Sequence, residues 1–261
     1  MMDPVIVHLG PVAIRWYGVM LATTIVVSLL VAYRMGPRLG VPTAVLDRTA
    51  TTAVLLMFVG ARLGYVVSHP GQFVPALWEI VRVDRGGLSS HGAIAAGLLY
   101  AAWVARRTGI SVWQFADTVG WALPIGNIFV RFGNFMNGEL YGDPTTLPWG
   151  VVFPTAPDAP RHPLQLYEMV LAAGVLLWAR RVAARPRFPG EVFWNIVVPT
   201  SAGRLVFDAL RSEMRALGPL TLGQLPALGL VGWGVWALWQ GRRGGRRPGR
   251  DQGSCTAPFS G

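Results

Sequence analysis

Apolar positions in this chain run on rather than alternate. Seven stretches of predominantly apolar residues fall at 14–34, 49–69, 87–105, 112–130, 164–183, 190–208 and 222–240. Each is close to the about 20 residues that an α-helix needs to cross a bilayer. Glycine, proline and arginine cluster in the intervals. The pattern predicts an all-α integral membrane protein with seven transmembrane helices. The polar interval after the fourth run, 131–163, predicts a small extracytoplasmic cap between helices 4 and 5. Residues 1–241 form the one transmembrane domain, and 242–261, rich in Gly, Arg, Pro and Ser, read as a disordered basic cytoplasmic tail.

The basic residues, all arginine, orient the bundle. Arg34, Arg38 and Arg48, then Arg106 and Arg107, then Arg180, Arg181, Arg185 and Arg187, and finally Arg242 onward share one side of a seven-span topology. Only scattered arginines such as Arg15, Arg82, Arg161 and Arg211 fall on the other. Cytoplasmic loops carry the excess of positive charge, so the N-terminus is expected outside and the C-terminus inside. The net charge of +10 belongs to these loops. No basic groove interleaved with stacking aromatics is visible, which argues against a nucleic-acid partner. Before residue 14 there is no basic region and after the first run no small-residue cleavage site, so that run is expected to be retained. The single cysteine, Cys255, lies in the tail, which excludes intrachain disulfides and cysteine-based metal sites. No metal or cofactor is expected.

Against this apolar background the polar residues stand out. Arg131, Asn134, Asn137 and Glu139 crowd into nine residues at the end of the fourth run. An arginine at the bilayer centre costs roughly 2.5–3.5 kcal/mol, so Arg62, Arg131 and Arg204 must snorkel, pair or face a cavity. Arg131 and Arg204 lie toward the outward ends of their runs, with Glu139, Glu168 and Asp208 available to balance them. Guanidinium forks bind phosphate oxygens bidentately and asparagine amides add neutral hydrogen bonds. The implied ligand is an anionic phospholipid.

Blander readings stand beside these. Trp16 suits an interfacial aromatic belt, while Tyr17 would seek a partner inside the bundle. Gly60 and Gly64 read as a close helix contact. Pro75 to Arg85 reads as an amphipathic surface segment. His91, among Gly and Ser, serves either structure or a polar cavity. Asp117 caps a helix or pairs with a loop as readily as it does chemistry. Glu168 either complements a helix N-terminus or holds an arginine. Arg204 and Asp208, four apart, form a pair on one helical face together with Thr200.

The run Arg131-Phe132-Gly133-Asn134-Phe135-Met136-Asn137-Gly138-Glu139 resembles the signature of the bacterial phosphatidylglycerol–prolipoprotein diacylglyceryl transferase family. Arg15-Trp16-Tyr17-Gly18, Gly60-Ala61-Arg62-Leu63-Gly64-Tyr65, Ser90-His91-Gly92, Leu147-Pro148-Trp149-Gly150 and Arg161-His162-Pro163-Leu164-Gln165-Leu166-Tyr167-Glu168 resemble it in the same order. The resemblance implies a multi-pass enzyme of the bacterial cytoplasmic (inner) membrane with its site on the outward side. It implies transfer of diacylglyceryl from phosphatidylglycerol to the lipobox cysteine of prolipoproteins, with release of glycerol phosphate. On the matching positions it implies a catalytic group of His91, Arg131, Arg204 and Glu139, His91 being the base or proton relay. Tyr17, Asn134, Asn137 and Gly142 would bind phosphatidylglycerol with the two arginines, and Arg62, Glu168 and Asp208 would support them. The match departs in the sixth run, where Thr200 and Asp208 stand at positions that tend to be tyrosine and glutamate. Two alternatives are a non-catalytic anionic-phospholipid binding or transport protein and a divergent paralogue with another acceptor. The chain has no repeat of the 131–142 stretch, as a transporter built on internal repeats would have.

Overall fold

The computed structural model describes residues 3–10, 12–74, 76–82, 87–211, 215–217, 220–221 and 223–244, with the backbone alone at Leu9, Val12, Ser90, His91, 215–217 and Leu220. The predicted tail beyond residue 244 and part of the predicted surface segment therefore lie outside the described residues. A short antiparallel pair, β1 (Val5–Leu9) and β2 (Val12–Arg15), leads into α1 (Trp16–Met35). Then come α2 (Thr43–Ser68), the single turn α3 (Pro70–Phe73), α4 (Ser90–Thr108), α5 (Val112–Val119) and α6 (Ala122–Asn137). A hairpin of β3 (Val151–Phe153) and β4 (Ala156–Arg161) precedes α7 (Leu164–Ala183) and α8 (Glu191–Ala209). A last small pair, β5 (Arg215–Leu217) and β6 (Leu220–Thr221), leads to α9 (Gln224–Gly244).

A helix therefore coincides with each apolar run, within a few residues for most. Two of them, Trp16–Leu39 with its terminal turn and Thr43–Ser68, are long and apolar enough to cross a membrane by length and composition alone. The fourth run differs from expectation. Instead of one helix over 112–130, α5 stops at Val119 and α6 starts at Ala122. The break falls at Gly120, whose carbonyl accepts from the Leu123 N–H at 3.1 Å because Pro124 has no N–H to offer it. Pro124 sits in the first turn of α6, where its missing N–H costs no helical bond. As a result α6 runs through Arg131 to Asn137, and the irregular segment begins at Gly138.

Packing joins α1 to α6, α6 to α7, α7 to α8 and α8 to α9, with α2 and α4 forming a pair. In that pair Gly92 meets Gly60 and Gly64 so closely that a Cβ on Gly92 would lie 2.9 Å from the Gly64 Cα. The GxxxG reading of α2 thus has its partner in α4. The apolar core is concentrated at the end of the bundle that carries the arginine-rich loops: Leu39, Trp121, Ile125, Ala179, Val192 and Ile196 form one cluster, and Val41, Leu46, Val104 and Phe115 another. Asp117 anchors the same end. Its carboxylate accepts from the backbone N–H of Gly190 and Phe193, both at 2.7 Å, and so caps α8. Elsewhere the helices leave large apolar side chains exposed, among them Phe58, Leu99, Val170, Leu177 and Trp236, a surface of the kind that a bilayer covers.

Candidate active site

At the opposite end of the bundle, α6 brings Arg131, Asn134 and Asn137 onto one face at successive spacings of three residues. Gly138, at φ +66°, ends the helix and turns the chain so that Glu139 folds back over it. The Glu139 Oε1 atom accepts from Asn134 Nδ2 at 2.8 Å and Asn137 Nδ2 at 3.2 Å. Asn134 Oδ1 in turn accepts from Arg131 Nη1 at 3.4 Å.

Arg131 is also held from α7. Its Nε donates to Glu168 Oε2 at 2.7 Å, while Glu168 Oε1 accepts from Arg211 Nη2 at 3.0 Å. Arg211 Nη1 continues to Asp208 Oδ1 at 3.2 Å. Asp208 Oδ2 lies 3.3 Å from Arg204 Nε and accepts from the Thr221 hydroxyl at 3.2 Å. The result is an alternating chain, Arg131–Glu168–Arg211–Asp208–Arg204, with three cations to two anions. Arg131, Glu168, Arg211 and Asp208 are largely buried, whereas the Arg204 side chain is 51% exposed. The guanidinium groups of Arg204 and Arg211 lie close enough to repel that of Arg131. Mutual repulsion of this kind is relieved by an anion placed among them.

The remaining expected residues divide by position. Tyr17, at the start of α1, packs on Gly133 of α6, where a Cβ would lie 3.2 Å from the Tyr17 Cα, and its hydroxyl feels the charges of Glu139 and Arg131. Gly142 has no room for a side chain: a Cβ there would lie 2.9 Å from His162 Cβ and 3.0 Å from Leu164. Its N–H donates to the His162 carbonyl at 2.9 Å, which ties the loop to the start of α7. Beside it a cavity of about 260 Å³ is bounded by residues 138–143, Thr155, Arg161 and Arg211. The hydroxyl of Thr200 bonds back to the Ile196 carbonyl at 2.8 Å within α8. His91 opens α4, and its side chain lies outside the described residues.

Arg62 is engaged elsewhere. It is buried in α2, and its guanidinium donates to four main-chain carbonyls, those of Glu79 (2.7 Å), Ile80 (2.8 Å), Arg82 (2.7 Å) and Gly87 (2.9 Å). It also lies over the rings of Phe73 and Tyr65. These bonds hold the connection between α3 and α4, not the Arg131 cluster. Two residues carried no site role in the sequence reading. Arg211, grouped there with scattered loop arginines, is the central cation of the chain; its spacing of three from Asp208 was the available signal. Gln165 donates to the Glu139 carbonyl at 2.6 Å and fixes the turn that carries the carboxylate.

A helical protein with apolar outer faces, and a buried row of arginines and carboxylates at one end, defines a membrane-associated enzyme or binder of anionic lipid. Residues 4–240 match the family model described as prolipoprotein diacylglyceryl transferase, and the chain belongs to that family. It is 38% identical over 90% of its length to the phosphatidylglycerol–prolipoprotein diacylglyceryl transferase of Solidesulfovibrio magneticus, covering 93% of that protein. It is 34% identical over 94% of its length to the enzyme of the same name from Allorhizobium ampelinum, covering 91% of it.

Proposed function

We propose that this chain transfers the diacylglyceryl group of phosphatidylglycerol to the lipobox cysteine of prolipoproteins at the Arg131–Glu168–Arg211–Asp208–Arg204 row. In this reading the chain crosses the bacterial cytoplasmic membrane seven times, with its N-terminus and the site on the outward side and its arginine-rich loops in the cytoplasm. The observation that carries it is the gathering of three guanidinium groups around two carboxylates, with Arg204 half-exposed at the end of the row.

The chemistry asks for such a site. The cysteine sulfur attacks the glycerol carbon that bears the phosphate, a C–S bond forms, the C–O bond breaks, and glycerol phosphate leaves with the electron pair. Charge grows on the departing phosphate, so fixed donors aimed at it stabilise the transition state more than the ground state. Arg131 and Arg204 are assigned to the phosphate oxygens, with Asn134 and Asn137 beside them and Tyr17 and Gly142 shaping the headgroup space. Glu139 keeps the two amides oriented. Glu168 and Asp208 hold the guanidiniums in place. The thiol proton goes to His91 or to the phosphate itself, because the thiolate is the nucleophile.

The test uses the purified full chain in phosphatidylglycerol vesicles with a lipobox peptide. The expected result is a peptide heavier by one diacylglyceryl group, release of glycerol phosphate, and loss of both in Arg131→Ala while the protein still folds. Full activity of Arg131→Ala would overturn the site. Retained phospholipid with an unmodified peptide in the wild type would overturn the transfer and favour a lipid-binding protein.

A further inference from the structure

Leu140 has a φ of +61°, the one positive value at a non-glycine position among the described residues. For a bulky side chain this conformation is strained, and it persists only where the surroundings hold it. The Leu140 side chain is more than a third exposed, so its own burial contributes little. Its carbonyl, however, is turned into the protein and accepts from Arg211 Nη2 at 2.9 Å.

Arg211 reaches three segments at once: Leu140 in the loop, Glu168 in α7 and Asp208 in α8. The adjoining peptides are tied to the same supports. Gln165 takes the Glu139 carbonyl, and the Asp143 N–H donates to the Leu210 carbonyl at 2.8 Å. We propose that Arg211 is a positioning residue that holds Leu140 in the left-handed conformation and thereby keeps the Glu139 carboxylate on the amides of Asn134 and Asn137. The proposal rests on the reading of Glu139, Asn134 and Asn137 as parts of the reaction site. Arg211 then acts through the loop, not on the phosphate. A lysine cannot replace it, because one ammonium on a flexible stem lacks the planar fork that spans three acceptors.

Two variants separate this role from general stability. Arg211→Lys keeps the buried charge but loses the fork. Leu140→Pro leaves Arg211 intact, while its ring fixes φ near about −65° and forbids the left-handed conformation. With the full chain in phosphatidylglycerol vesicles, both are expected to lower kcat for peptide modification about tenfold to a hundredfold. KM for phosphatidylglycerol should change by no more than about twofold, since the phosphate donors remain. Adding Leu140→Gly to Arg211→Lys should recover a large part of the lost kcat, because glycine adopts the conformation without being held.

If Arg211→Lys does not fold, Leu140→Pro alone decides the matter. Unchanged kcat in Leu140→Pro overturns the proposal, as does an Arg211→Lys defect that Leu140→Gly leaves untouched. Arg131→Gln is the comparator. If it too retains activity, the reading of the site has failed; if it is inactive while Arg211→Lys and Leu140→Pro are active, the positioning role alone has failed.

Discussion

Arg62 and Arg131 meet the same problem, a guanidinium carried into an apolar bundle, and the protein solves it in two different ways. Around Arg62 the described residues supply four backbone carbonyls and the faces of two aromatic rings. Arg131 meets a carboxylate as well as the Asn134 amide, and that carboxylate is shared with a second arginine. The first arrangement uses the arginine as a clamp, because at least four of its N–H groups are spent on one stretch of chain. The second can redistribute. In the proposed reaction Arg204 and Arg131 turn donors toward the phosphate while Glu168 and Asp208 stay with Arg211. Burial of a charge alone therefore does not mark the proposed reaction site.

Glu168→Gln should break the row at its middle and give the largest effect. It leaves Arg131 and Arg211 sharing a neutral amide, and removing one partner of a buried pair costs about 3–5 kcal/mol. Transfer to a lipobox peptide should fall about a hundredfold or more, and the loss should persist at low temperature. Arg62→Met should come next. It strands half-buried carbonyls, at up to about 1–3 kcal/mol each where water cannot reach them, so melting temperature drops and transfer drops with the folded fraction. Cooling the assay should restore much of the Arg62→Met activity and little of the Glu168→Gln activity. Equal behaviour of the two variants on cooling would dissolve the distinction between clamp and row.

The sequence carried part of this contrast. Apolar length alone located the helices, and for 164–183 it met both ends of α7. It missed the turn at Gly120, because a Gly-Trp step inside an apolar run leaves mean hydropathy unchanged. Arg131, Asn134, Asn137 and Glu139 were legible as a polar cluster because they crowd into nine residues of an apolar chain. Arg62 and Arg131 looked alike, since both are single arginines in apolar surroundings and only distant chain decides their partners. Arg211 was obscured for the opposite reason: it follows the predicted end of its helix, where an arginine is expected to meet water. Asp117 stood between capping and chemistry in the sequence, and its bonds to the start of α8 assign it to capping.

The outer end of the row supplies the finest distinction between holding and reacting. Thr221 accepts from the Gln224 N–H at 3.2 Å while its own N–H donates to Gln224 Oε1 at 2.9 Å, a reciprocal capping box at the start of α9. The same hydroxyl donates to Asp208 Oδ2, the oxygen that faces Arg204. Gly223 lies directly against the Arg204 guanidinium, so the cap and the arginine share one small space. Thr221→Val should cost about 1 kcal/mol through the lost cap. If the hydroxyl also sets the angle at which Asp208 holds Arg204, KM for phosphatidylglycerol should rise about two- to threefold with kcat nearly constant, as loss of one neutral hydrogen bond predicts. Measured across phosphatidylglycerol fractions in mixed vesicles, a stability loss without that rise would confine Thr221 to the clamp class of Arg62. The reacting row would then end at Asp208.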